Sequence, residues 1–152
     1  MHKRAIDYFV IDILITLERL KKNAQNIKTK EDILCDENLC DAVLRRLEIL
    51  GEAARHIMES EKFGKHVNRE WRKIVNFRNL VAHEYFGIDF DIVFDILTNK
   101  LSSFEGEVFS LIAHFSSCKE LKKALIDSQM ELERFGRIES MLYLRDLEKL
   151  FK

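Results

Sequence analysis

The stretch Asn68-Arg69-Glu70-Trp71-Arg72-Lys73-Ile74-Val75-Asn76-Phe77-Arg78-Asn79-Leu80-Val81-Ala82-His83-Glu84-Tyr85 decides how this chain is read. Asn68 suits a helix N-cap, and Trp71, Ile74, Val75 and Phe77 fall near helical spacing. Gly87 and Asp89 then break the pattern, so His83 and Tyr85 are expected at or just past the helix end. Polar groups there can face a ligand instead of the core. Arg78, Asn79, His83 and Tyr85 place a permanent cation, an amide, an imidazole and a phenol close together in the chain.

Helical periodicity continues on both sides. Ile6, Phe9, Val10, Ile13, Leu14, Leu17 and Leu20 form one apolar face over about residues 4–23. A short helix is expected from Thr29, where Thr29 and Asp32 resemble a capping pair, and a longer one from Asp36 to about Glu59. Gly51 lies inside that longer helix at a cost of roughly 1 kcal/mol relative to alanine, so close approach of another helix is the expected reason for it. A polar link over 61–67 precedes the central helix, and a fourth main helix is expected over about 91–115. Residues 119–152 carry a helical pattern whose phase slips near Gly136, where a break is expected. No alternating β pattern occurs. The spacing predicts an all-α fold, an up-and-down bundle of four main helices over 1–117 with a C-terminal helical extension over 118–152.

Composition narrows the class. At 47% apolar and 34% charged, the 152 residues suit an ordinary folded domain. The absence of proline leaves long helices unobstructed. A formal charge of −1 means that any nucleic-acid contact must come from a local basic patch. Cys35, Cys40 and Cys118 show no metal-ligand spacing, and His2, His56, His66 and His114 are scattered, so no metal and no cofactor is expected. The odd cysteine count favours reduced thiols. Asp7 and Asp12 interrupt the N-terminal apolar run, and no stretch reaches membrane-spanning length, so the expected location is cytoplasmic.

An arginine and a histidine five residues apart recur often by chance, and a lone helix-end histidine is usually a cap or a surface group. Around a regular helix Arg78 and His83 stand ~140° apart. To act together they need either an unwound helix near His83 or a second subunit. Together they suit attack on a phosphodiester: a neutral imidazole can take the 2′-hydroxyl proton of a ribose, and a guanidinium can grip the phosphate and offset charge growing on its oxygens. Cleavage of RNA through a 2′,3′-cyclic phosphate fits this set without a metal.

Arg78-x4-His83-x-Tyr85, with Asn79 and the following Phe86-Gly87-Ile88-Asp89, resembles the signature of the HepT-like HEPN ribonuclease toxins. The likeness continues upstream in Arg46-Leu47-Glu48-Ile49-Leu50-Gly51-Glu52-Ala53-Ala54 and in Trp71-Arg72-Lys73-Ile74, covering about residues 42–97. The resemblance implies a HEPN-like helical bundle that forms a two-fold homodimer, with both motifs lining a cleft at the interface. It implies an RNA endonuclease toxin of a prokaryotic type VII-like toxin–antitoxin pair, acting on tRNA or mRNA. Arg78 and His83 would be catalytic and Asn79 supporting. Tyr85 would receive AMP from ATP through an MNT-type nucleotidyltransferase antitoxin. A different expectation is a non-catalytic helical subunit that binds such a nucleotidyltransferase, and a third is a purely structural helical dimer.

Other residues carry plainer alternatives. Glu52 either pairs with an arginine such as Arg78 or orients the site, pairing being favoured because an unpaired acid at an apolar interface is costly. Trp71 and Phe77 read as core before base-stacking platforms. Arg69, Arg72 and Lys73 form either a basic rim for RNA or a solvated helix face. The charged extension is read as solvated surface, packing or oligomerisation.

Overall fold

The computed structural model describes residues 3–83 and 87–151, excluding the side chains of 80–83. The described residues are helical or irregular, with no strand among them. Helix α1 spans Ile6–Ala24, α2 Lys30–Leu34, α3 Glu37–Glu59 and α4 Arg69–His83. Further along the chain come α5 (Phe90–Asp95) and α6 (Leu101–His114), then α7 (Lys119–Arg134) and α8 (Ile138–Asp146). The all-α bundle with a helical extension is therefore the observed architecture.

Side-chain caps fix the starts. Asp36 accepts from the Leu39 amide at 3.0 Å, Asn68 from the Glu70 amide at 2.9 Å, and Asp89 from the Asp91 amide at 2.9 Å. Asp32 accepts from the Lys28 and Thr29 amides at 2.7 and 2.9 Å, completing the acidic half of the expected capping pair. Each bond satisfies a donor that a helix start leaves unpaired.

Cross-helix contacts give the directions. Phe9 meets His56 while Asn23 accepts from Arg46, so α1 and α3 run antiparallel. Gly51 faces Ile74 and Arg78 across the α3–α4 hairpin. Trp71 packs edge-on against Phe104 with ring centroids 4.9 Å apart, bringing α6 back across α4. Trp71 and Phe77 are core residues, 1% and 6% exposed, as their spacing predicts. The extension is held to α1 by Tyr8–Asp127 at 2.6 Å and by Arg19–Ser140, and its Leu121, Leu125, Leu144 and Phe151 join the same apolar core.

The structure departs from the expected pattern at two places. The fourth helix is not continuous: Ile96–Lys100 forms a π-helical turn between α5 and α6, with the Leu101 amide reaching back five residues to the Ile96 carbonyl. Within this turn the Thr98 hydroxyl donates to the Phe94 carbonyl at 2.8 Å. The link over 61–67 is not a purely polar connection: Phe63 is fully buried edge-on against Phe115, and Val67 packs against the core. The expected break near Gly136 is present. Gly136 takes φ +73°, and the amides of Gly136 and Arg137 return to the carbonyls of Glu133 and Leu132, which is a Schellman ending.

Candidate active site

The site begins where α3 and α4 approach most closely. A Cβ on Gly51 would overlap the Cβ of Arg78 and lie 2.9 Å from its Cγ and 3.0 Å from the Ile74 carbonyl oxygen. The glycine therefore does what its place in a helix interior suggests: it lets the stem of Arg78 lie directly on α3.

The next residue takes the guanidinium. Arg78 Nη2 is 3.0 Å from Glu52 Oε2, and Nη1 donates to the Asn79 side-chain oxygen at 3.1 Å. Both side chains of the ion pair are partly open, 26% for Arg78 and 34% for Glu52. The contact is close but misaligned for a hydrogen bond, since neither Glu52 Oε2 nor Arg78 Nε has a directed partner among the described residues. Arg78 is thus anchored by its stem and steered by a carboxylate, while its fork is not saturated. A guanidinium held this way keeps donors for an incoming phosphate. Pairing with Arg78 was the favoured expectation for Glu52, and the structure shows it.

Glu52 is also the hub of a cluster that the sequence reading did not single out. Its Oε1 accepts from Arg55 at 2.5 Å and lies 3.3 Å from His56 Nε2. The Arg55 hydrogen bond, with the positive charges of Arg55 and Arg78, holds the Glu52 carboxyl below its ordinary value against the opposing pull of burial. His56 stacks on Phe9 at 4.2 Å, and the Arg4 guanidinium lies 5.2 Å from the Phe9 ring centre while pairing with Asp12. The signal for Arg55 and His56 was present as i+3 and i+4 spacing from Glu52. Phe9 carried none, because its contact depends on how α1 crosses α3.

Arg78, Glu52, Phe9, Asp12 and Ile49 are among the residues lining a surface groove of about 160 Å³. Arg78 is therefore partly open to a surface groove and not sealed in the core. Asn79 is exposed beside it. His83 is the last residue of α4, and its side chain lies outside the described residues, as does the whole of Tyr85. Since α4 stays helical through His83, positions 78 and 83 are ~140° apart around the axis and ~7.5 Å apart along it. Unwinding before His83 does not occur.

Arg69, Arg72 and Lys73 do not rim the Arg78 groove within one chain. They line a separate groove of about 730 Å³ with Asn76, on the face of α4 that also carries positions 79 and 83. Among the described residues, no three His, Cys, Asp or Glu side chains are grouped to hold a metal ion, and no helix is long and apolar enough to cross a membrane. The three cysteines are free thiols.

The family model described as Ribonuclease HepT-like matches residues 13–110, which include the whole α3–α4 seam. The chain belongs to the HepT-like family. A candidate RNase of Methanocaldococcus jannaschii is 34% identical over 110 residues, covering 71% of this chain and 97% of that one. A protein of Thermococcus cleftensis named probable ribonuclease HepT is 31% identical over 105 residues, covering 69% and 94%. A longer M. jannaschii protein, named gamma-glutamylcyclotransferase and candidate RNase, is 23% identical over 147 residues, covering 92% of this chain and 65% of that one. No solved structure matches the chain.

Proposed function

We propose that this HepT-like chain is a metal-independent RNA endonuclease and the toxin of a type VII-like toxin–antitoxin pair. The observation that carries the reading is Arg78, set on Gly51, steered by Glu52 and open to a surface groove within a family of ribonucleases. In this mechanism the His83 imidazole takes the 2′-hydroxyl proton, the 2′-oxygen attacks the adjacent phosphorus, and the 5′-oxygen departs. The products are a 2′,3′-cyclic phosphate and, once an acid supplies a proton, a 5′-hydroxyl. Arg78 offsets charge on the non-bridging oxygens, and Asn79 steadies Arg78.

The separation of positions 78 and 83 around α4 favours a site shared between two copies, with Arg78 from one and His83 from the other at one phosphate. Tyr85, two residues beyond His83, is the proposed acceptor of AMP from an MNT-type nucleotidyltransferase, with pyrophosphate leaving ATP. The added phosphate would fill the cleft and repel RNA. The proposed setting is cytoplasmic.

The test is RNA cleavage by unmodified protein in the presence of a chelator, with intact mass recorded. His83→Ala should lower the rate about 10²–10⁴-fold. Mixed dimers made from Arg78→Ala and His83→Ala chains should recover one working site if each site spans two copies, and none if each site lies in one. Cleavage unaffected by His83→Ala would refute its role as base. No cleavage by unmodified wild type would favour a binding subunit for the nucleotidyltransferase.

A further inference from the structure

Helix α1 and the α7–α8 turn border a third groove, of about 600 Å³. It shares Asp12 and Ile49 with the Arg78 groove, so the two run into each other along the surface of α1 and α3. Its far wall comes from Phe135 and Arg137, beyond the stretch that the family model matches.

The charges in this groove divide by end. Near the Arg78 groove, Arg4 is paired with Asp12, and Glu131 acts on Arg4 as well. At the other end Arg19 reaches no carboxylate. Its Nε and Nη2 both donate to the neutral Ser140 hydroxyl, at 3.3 and 3.2 Å. Arg137 and Arg46 are the charges that act on it, and both repel it; burial and this repulsion push its pKa down. Arg46 is held by the Asn23 amide oxygen, and Glu139, the acid next to Ser140, is taken by Lys22. Among the described residues, Arg19 and Arg137 have no acidic partner. Acids are not scarce, since the chain has 26 against 25 Lys and Arg, and Arg45, Arg55 and Arg78 each find one. A half-buried guanidinium beside a second one is poorly compensated until an anion joins them.

The turn adds an aromatic surface. Phe135 follows the last residue of α7 and is 62% exposed, with the Arg134 guanidinium 5.0 Å from its ring centre. The left-handed Gly136 turns the chain directly after it. Cations that track a backbone beside an exposed ring form the combination that binds single-stranded nucleic acid without reading its sequence.

We infer that this groove holds the RNA strand on one side of the scissile bond, with Arg19 and Arg137 on its phosphates and Phe135 stacked under a base. The inference rests on the ribonuclease reading and gives the C-terminal extension a part in substrate binding.

The experiment measures anisotropy of labelled 2′-O-methyl oligonucleotides, two to twelve nucleotides long, which cannot be cut by 2′-hydroxyl attack. Wild-type affinity should climb with length and then level off. In Arg19→Gln/Arg137→Ala the climb should stop at a shorter length, with dinucleotide affinity unchanged. Loss of two phosphate contacts should make the negative slope of log affinity against log salt shallower by about 1.4. Phe135→Ala should weaken the longer strands from several-fold to about 100-fold. Arg137 is exposed, and its backbone makes the Schellman bond, so Arg137→Ala alone keeps the test open if Arg19→Gln disturbs folding. Equal affinity and salt slope for variant and wild type at every length would overturn the inference. So would saturation of the groove by AMP alone with no dependence on strand length. Binding here needs no cleavage: a protein that grips long strands through this groove but cuts nothing would sink only the ribonuclease reading. A variant that cuts and binds long RNA like wild type would sink only this one.

Discussion

Gly51→Ala is the smallest change that tests how the site is built. The added methyl would overlap the Arg78 Cβ and stand 2.9 Å from its Cγ and 3.0 Å from the Ile74 carbonyl oxygen. Carbon atoms in contact rest about 3.5–4.0 Å apart, so α4 must move away from α3 by roughly 1 Å or more. Forcing one extra methyl into a packed seam costs about 1–3 kcal/mol. At roughly 2–4 °C per kcal/mol for a chain of this size, Tm should fall by about 2–12 °C. The same movement carries the Arg78 stem with it, and ~1 Å of misplacement at a reacting group can cost about 100-fold in rate. Thermal unfolding and RNA cleavage on the same samples read both effects. The companion variants distinguish the cause. Arg78→Ala keeps its Cβ and should not relieve Gly51→Ala, whereas Arg78→Gly removes the overlapping atom, so its penalty should add to that of Gly51→Ala less than fully. A Gly51→Ala protein with wild-type Tm and cleavage rate would refute the claim that this glycine positions Arg78.

Glu52→Gln removes the charge that Arg55 and Arg78 share. Because the Arg55 bond and the neighbouring cations hold this carboxyl below its ordinary 4.5, it stabilises the fold above that pH, and the contribution is lost as pH falls through the depressed value. The gap between wild type and Glu52→Gln in denaturant midpoint should therefore be widest near neutral pH and close below pH 4.5; a gap that widens in acid would contradict the pairing. Trp71→Ala should cost about 3–5 kcal/mol, measured by denaturant unfolding, since it empties a site that is 1% exposed and strips Phe104 of its partner ring.

The helices were legible because their apolar residues recur every three or four positions and their caps are local: Asp36, Asn68 and Asp32 bond amides within four residues of themselves. The break at Gly136 was legible for the same reason, as a phase slip at the one residue type that takes φ +73° freely. The π-turn at Ile96–Lys100 was not. One extra residue in a turn rotates the stripe by only about 100°, and the flanking Val93, Leu97, Leu101 and Phe104 are apolar enough to hide it. Phe63 was missed because a single buried ring in a polar link has no period at all. In the site, the Arg78–Glu52 pair followed from charge compensation, whereas the Phe9–His56 stack needed the crossing of two helices far apart in sequence.

Gly51 and Glu52 divide one task between adjacent positions. The first removes a side chain so that α4 can close on α3, and the second, about 100° further round α3, reaches the guanidinium that the closure delivers. Arg78 is therefore tied to the hydrophobic seam of its own bundle, and it cannot swing round α4 to meet the face that carries position 83 without opening that seam. Position 83 instead shares its face with Arg69, Arg72 and Asn76, beside a different groove. Position 78, the proposed phosphate ligand, and position 83, the proposed base, thus stand on different faces of α4. A substrate that needs both is best served where a second copy presents the complementary face, so the spacing of the motif within a rigid helix itself argues for catalysis at an interface.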